Sequence, residues 1–190
     1  MNLDNILQGC LQQQQSSQEL LVHIFAPKLL AICMRYCRDK DLAKDALQET
    51  FINIFKYIHT YNGESEFMAW ARKIAVNNCL KINQKFFKLN FVEDKEINFN
   101  DHSYIPDVYS KLSVEAIMDL CNQLSESQFI VFNMFAIEGF SHKEICTTLN
   151  ITESSSRSLL TRARMKLIEL INNMEDNHNK TIFNARIALL

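Results

Sequence analysis

Apolar residues recur at spacings of three and four along most of this chain, the pattern of helices that bury one face. Over 42–58 the rhythm is set by Leu47, Phe51, Ile54, Phe55 and Ile58. Over 66–85 it is set by Phe67, Trp70, Ala71, Ile74, Ala75, Asn78 and Ile82. A further helix is predicted over 17–38, interrupted early by Pro27, which has no amide hydrogen to donate. Tyr61-Asn62-Gly63 breaks the rhythm, and Gly63 supplies a turn conformation closed to larger residues. From about 89 to 110 periodicity collapses around Pro106, which predicts a linker. Helices are predicted again over 112–123, 126–138, 142–149 and 153–173. The expected fold is all-α: two small helical domains, 1–88 and 112–174, joined by an acidic, flexible linker at 89–111, with a tail at 175–190.

The last two helices carry the most local detail. Ser141 followed by Glu144 forms a capping box, so a helix starts there and buries Ile145 and Leu149. Asn150 stands where the chain reverses and tolerates the left-handed conformation, and Thr152 is placed to cap the next helix. Ser156, Leu160, Ala163, Leu167 and Leu170 share one face of that helix. Ser154, Ser155, Ser158, Thr161 and Arg162 lie opposite, flanked by Arg157 and Arg164. From Ser154 to Ile168 there are four bases, Lys166 included, and no acid. This is a helix-turn-helix layout, with groups suited to base edges and to phosphates on the outward side of its second helix. A solvated basic face would leave the same charges. The three serines favour DNA, because weak helix formers are an odd choice for a purely structural first turn. Ser125 with Gln128 makes a second capping box.

Composition narrows the picture. Apolar residues make up 47% of the 190, with only 3 Gly and 2 Pro, which suits an all-helical protein of one or two modest cores. No leader pattern and no run of some eighteen apolar residues is evident, so the expected location is the cytoplasm, without membrane insertion. The 6 cysteines are scattered at apolar positions without a Cys-x-x-Cys, and the 5 histidines form no ligand-spaced cluster with them. Neither a metal site, nor a cofactor, nor a nucleophile–base pair is expected.

Net charge is −2, too little for a protein that grips DNA unaided. Its distribution says more than its sum. Residues 68–92 hold Arg72, Lys73, Lys81, Lys85 and Lys88 with no acid, whereas residues 93–126 carry eight acids against two bases. The basic helix near Trp70 fits a solvated core helix, and it equally fits a holder of unpaired nucleic acid, with Tyr57, Tyr61 and Trp70 as stacking candidates.

Three segments together match a known pattern. They are Asp45-Ala46-Leu47-Gln48-Glu49-Thr50-Phe51; the stretch from Tyr61 to Trp70 with Arg72, Lys73, Ala75 and Asn78; and Leu124 to Gln128 continued through Gly139 to Ile145 and on to Arg162 and Arg164. In this order, over roughly 17–172, they resemble bacterial sigma factors of the small two-domain, extracytoplasmic-function (ECF) type of the sigma-70 family. The resemblance implies a promoter-recognising subunit of RNA polymerase with no catalysis of its own, and an anti-sigma partner of the kind such proteins often have. It implies that the surface around Asp45, Gln48 and Glu49 docks on the polymerase clamp. It further implies that Asn62, Gly63, Glu64 and Ser65, with Trp70, Arg72, Lys73, Asn77, Asn78 and Lys81, read and hold the melted minus-ten element. Ser154, Ser155, Arg157, Ser158, Thr161, Arg162 and Lys166 would read the minus-thirty-five element as duplex. The acidic linker would thread the polymerase's basic channel, although a solvated tether fits its charge as well.

This chain departs from the family pattern in places. Serines stand at 154 and 156 where the family often has Gly and Val, Leu159 replaces a frequently basic residue, and the tail has no counterpart. Ser156, on the packed face, is expected to bond back to the preceding turn. The second domain is expected to be a helix-turn-helix of winged-helix-like or four-helix form. Two other readings compete: a polymerase-independent helix-turn-helix regulator, and a helical adaptor that binds only protein.

Overall fold

The computed structural model describes residues 2–37, 39–83 and 120–174, which fall into two compact units, 1–88 and 89–190. Every regular element among the described residues is helical. The predicted linker at 89–111, the tail at 175–190, Lys85, Lys88 and most of the predicted helix 112–123 lie outside the described residues.

In the first unit, α1 (Leu3–Leu11) and α2 (Gln15–Cys37) are joined by a turn in which Gln13 adopts φ 58. The turn works because α1 lies very close to α2: a Cβ at Gly9 would overlap the Ser17 side chain. Then follow α3 (Lys40–Tyr57), a 3-10 turn (Ile58–Thr60) and α4 (Phe67–Asn83). Asp39 caps α3, its carboxylate accepting from the amides of Asp41 and Leu42 at 2.9 Å each.

Helix α2 is the hub, packing on α1, α3 and α4. It runs unbroken through Pro27, contrary to the predicted interruption. Proline removes one hydrogen bond, but the burial of Leu21, Phe25, Leu29, Ile32 and Cys33 along its length outweighs that loss. The same burial accounts for its apolar character, since by length and composition alone α2 could cross a membrane. Fully buried Ala43, Ala46, Ala71 and Ala75 let α3 and α4 close on it, and Phe25 meets Phe67 edge to face at 4.9 Å.

Helix α4 departs from its predicted stripe. Trp70, Ile74 and Ile82 are only half-buried, while Val76, Cys79, Leu80 and Asn83 are buried. Because α4 is clasped by both α2 and α3, its buried surface is wider than one amphipathic stripe. Cys79 hydrogen-bonds the thiols of Cys33 and Cys37; these contacts and burial push its thiol far above the ordinary range.

In the second unit, α5 (Glu126–Phe132) begins with the Ser125–Gln128 capping box and passes into a π-helical turn (Asn133–Ile137). The pattern predicted one regular helix over 126–138. Asn133 instead donates its side-chain amide to the Phe129 carbonyl at 2.8 Å, and the Glu138 amide reaches back to the Asn133 carbonyl at 2.9 Å. Gly139, at φ 74, ends the turn. Next come α6 (His142–Leu149) and α7 (Glu153–Met174). Phe129, Phe132, Met134, Phe140, Ile145, Leu160, Ala163 and Leu167 form their common core. No strand occurs among the described residues, and those of the second unit form three α-helices and a π turn.

Candidate nucleic-acid interface

The α6–α7 corner is built by its caps. The Ser141 amide donates to Glu144 at 2.8 Å and the Glu144 amide to Ser141 Oγ at 3.3 Å. Asn150 takes φ 54, ψ 49, the predicted left-handed reversal, and the Ser155 amide donates to Thr152 Oγ1 at 3.1 Å. Ile145 is fully buried, while Leu149 is half-buried.

Ser156 is fully buried in the corner, as its place on the packed face implied. Its hydroxyl does not bond back to the preceding turn; it pairs with Nδ1 of His142 at 2.8 Å, tying α7 to α6. The His142 ring stacks on Phe135 of the π turn at 4.5 Å, and Arg164 lies over the same Phe135 ring at 5.9 Å. Burial, and then the nearby Arg157 charge, hold the imidazole below its usual value. The orientation of α7 is therefore fixed by a polar lock as well as by Leu160, Ala163 and Leu167.

The outward side of α7 carries the sequence-predicted readers. Ser154 and Arg157 are exposed, whereas Ser155, Ser158, Thr161, Arg162 and Lys166 are half-exposed. Ser154 and Ser155 share their hydroxyls with Thr152 at 3.0 and 2.8 Å, and Thr161 donates to the Arg157 carbonyl at 3.0 Å. Lys166 pairs with Glu169 at 3.0 Å, and Arg157 with Glu153 at 2.6 Å. Leu170, predicted to be core, is half-buried.

The first unit presents two other surfaces. The loop before α4 is held by Tyr61, whose hydroxyl donates to the Ser65 carbonyl at 2.6 Å and whose ring meets Phe67 at 5.5 Å and Trp70 at 5.7 Å. Asn62 Oδ1 accepts from the Glu64 amide at 3.1 Å, and Gly63 stands at φ 77, so Asn62, Glu64 and Ser65 face solvent on an ordered turn. Along α4, Lys73, Asn77 and Lys81 form one exposed line at four-residue spacing, with Arg72 half-buried beside it. Asn78 does not join them. It is buried, donating to Thr50 Oγ1 at 3.3 Å and accepting from Asn53 at 3.1 Å, and so links α4 to α3 instead of facing nucleic acid. Tyr61 and Trp70 spend much of their ring surface on this cluster, while Tyr57 is 42% exposed.

On α3, Asp45, Gln48 and Glu49 are all exposed on one side. Ile52 follows in the same row and is 59% exposed, a large apolar side chain with no role in the core.

A family model described as sigma-70 region 2 matches residues 21–82, and one described as sigma-70 region 4 matches residues 114–167. The chain belongs to the sigma-70 family. Among its relatives are the ECF RNA polymerase sigma factor SigM of Bacillus subtilis (strain 168), 26% identical over 71% of this chain and 83% of the relative. Another is the ECF sigma-E factor of Haemophilus influenzae, 27% identical over 80% of this chain and 86% of that protein. The match to such relatives places this sigma factor in the ECF group. The fold resembles CnrH in complex with the cytosolic domain of CnrY, with a TM-score of 0.54 and 18% identity over 93% of this chain and all of that one. It also resembles RpoE in complex with the anti-sigma factor NepR from Bartonella quintana, with a TM-score of 0.55 and 20% identity over 84% and 98% of the two chains.

Three features of this sigma factor escaped the sequence pattern. The acid-free run begins at Ser154, one residue after Glu153, which pairs with its first arginine. His142 belongs to no ligand-spaced cluster, and its role is as the partner of Ser156. Ile52 lies outside the predicted apolar stripe of its helix, and helical spacing alone sets it in a row with Gln48 and Glu49.

Proposed function

We infer that this protein is a transcription initiation factor that binds core RNA polymerase and directs it to specific promoters. The observation that carries this reading is the pairing of regions 2 and 4 on one chain, in order, each with its own exposed polar and basic surface. Like its family it acts without catalysis of its own, and its place of work is the cytoplasm. An anti-sigma factor is a further partner, a reading supported by the fold it shares with a sigma factor bound to one.

The roles of individual residues follow from exposure. Asp45, Gln48 and Glu49 dock on the polymerase clamp, with Ile52 as the apolar centre of that contact. The turn carrying Asn62, Gly63, Glu64 and Ser65 reads the melted minus-ten element, and Lys73, Asn77 and Lys81, with Arg72 beside them, hold its backbone. Half-exposed Trp70 braces the turn. Ser154, Ser155, Arg157, Ser158, Thr161 and Arg162 face the minus-thirty-five duplex, with Lys166 on a phosphate.

Paired substitutions test this assignment. Asp45→Ala with Glu49→Ala should abolish polymerase binding in a pull-down and leave the fold intact. Arg157→Ala with Arg162→Ala should spare polymerase binding but abolish promoter choice. Tight, specific operator binding by the free chain would point instead to a polymerase-independent regulator, and indifference to the arginine changes to a protein-only adaptor.

A further inference from the structure

The first arginine of α7 is not a free cation. One carboxylate oxygen of Glu153 accepts from Arg157 Nε at 3.2 Å and from Nη2 at 2.6 Å, one turn apart on the helix. Both side chains are exposed, at 54% for Glu153 and 61% for Arg157, so the pair stands on the outward side of the helix without support from the core. Such a surface pair contributes little to stability. Its effect is on direction.

A guanidinium has five N–H groups in a rigid plane. Two are committed to Glu153, which leaves both hydrogens of Nη1 and one of Nη2 along the far edge. Two parallel donors on that edge are what a bidentate contact to O6 and N7 of guanine requires. We propose that Glu153 is a positioning residue that holds Arg157 with its free edge turned outward, so that Arg157 discriminates guanine at one base pair of the minus-thirty-five element. This rests on the reading that α7 lies in the major groove. Pairing also explains how an acid is tolerated beside phosphates, because its charge is cancelled by the side chain it steers. Prior restraint reduces the freedom Arg157 must give up on meeting a base.

The test uses holoenzyme reconstituted with the full chain and a promoter library randomised across the minus-thirty-five element, read by transcript abundance. Arg157→Ala should erase a guanine preference at one base pair, a loss of about tenfold or more. Glu153→Ala should weaken the preference at that same base pair by about threefold or more, while Glu153→Gln, whose amide oxygen still accepts from Nε, retains part of it. Loss confined to one base pair is a readout that a structural role would not produce. If Glu153→Ala strengthens binding to every sequence equally, the acid only masks charge and the proposal is wrong. A changed preference at a different base pair would also overturn it, since Glu153 would then be reading a base itself. If Arg157→Ala leaves every preference intact, the major-groove reading of Arg157 fails with it.

Discussion

At the scale of the residue, two polar groups held in the packing, buried Asn78 and half-buried His142, separate structure from recognition. Asn78 sits among residues that the family resemblance implies for the minus-ten element, yet its amide bridges Thr50 and Asn53. Asn78→Ala should lower stability by about 1–3 kcal/mol, because Thr50 loses a buried donor and Asn53 an acceptor. Denaturant unfolding checks this, and the minus-ten preference of the folded holoenzyme should be unchanged. His142 is the second case. Burial first, then the Arg157 charge, with Arg164 adding and Glu153 opposing, lower its folded-state value below 6.5. The unfolded chain therefore takes up the proton more readily, so stability is complete above about pH 6.5 and falls as pH drops from there through the folded-state value. Thermal unfolding followed between pH 7.5 and pH 5 should show this decline in the second unit, on the order of the titration of one histidine, and His142→Gln should flatten it.

At the scale of the element, the sequence was most legible where local chemistry decides the outcome. Both capping boxes, the Asn150 reversal and the Thr152 cap depend on a few neighbouring residues, and each stands as read. Where packing decides, the pattern misled. Pro27 predicts an interruption, but α2, packed on α1, α3 and α4, continues through it. The stripe on α4 was drawn too narrow because periodicity records one neighbour and α4 has two. The π turn depends on Asn133 bonding to the Phe129 carbonyl, a choice no spacing rule encodes. Helix α1 is absent from the predicted elements, and its closeness to α2 hinges on the missing side chain of Gly9. Gly9→Ala should therefore cost about 1–3 kcal/mol through the clash with Ser17, and calorimetry should show the loss in the first unit alone. Gly9→Ala combined with Ser17→Gly should recover part of it.

At the scale of the whole molecule, a net charge of −2 would be a puzzle for a protein binding DNA alone. It is none for a sigma factor, since region 2 and region 4 each add a modest surface and the polymerase supplies the frame that holds both on one promoter. The second contact then becomes intramolecular, which multiplies weak affinities without any new contact. The two-unit division and the family were legible because both depend on motifs strung along the chain. The His142–Ser156 lock was not, since it depends on how two helices meet after folding, whereas the Glu153–Arg157 pair lies at four-residue spacing on one helix and is legible from it. The most direct test of the account is run-off transcription from genomic fragments by purified core polymerase, with and without this protein. Discrete starts that appear only when it is added, and that vanish with Arg157→Ala and Arg162→Ala, are the expected result. A transcript pattern identical to that of core polymerase alone, with the protein folded and free of inhibitors, would contradict it.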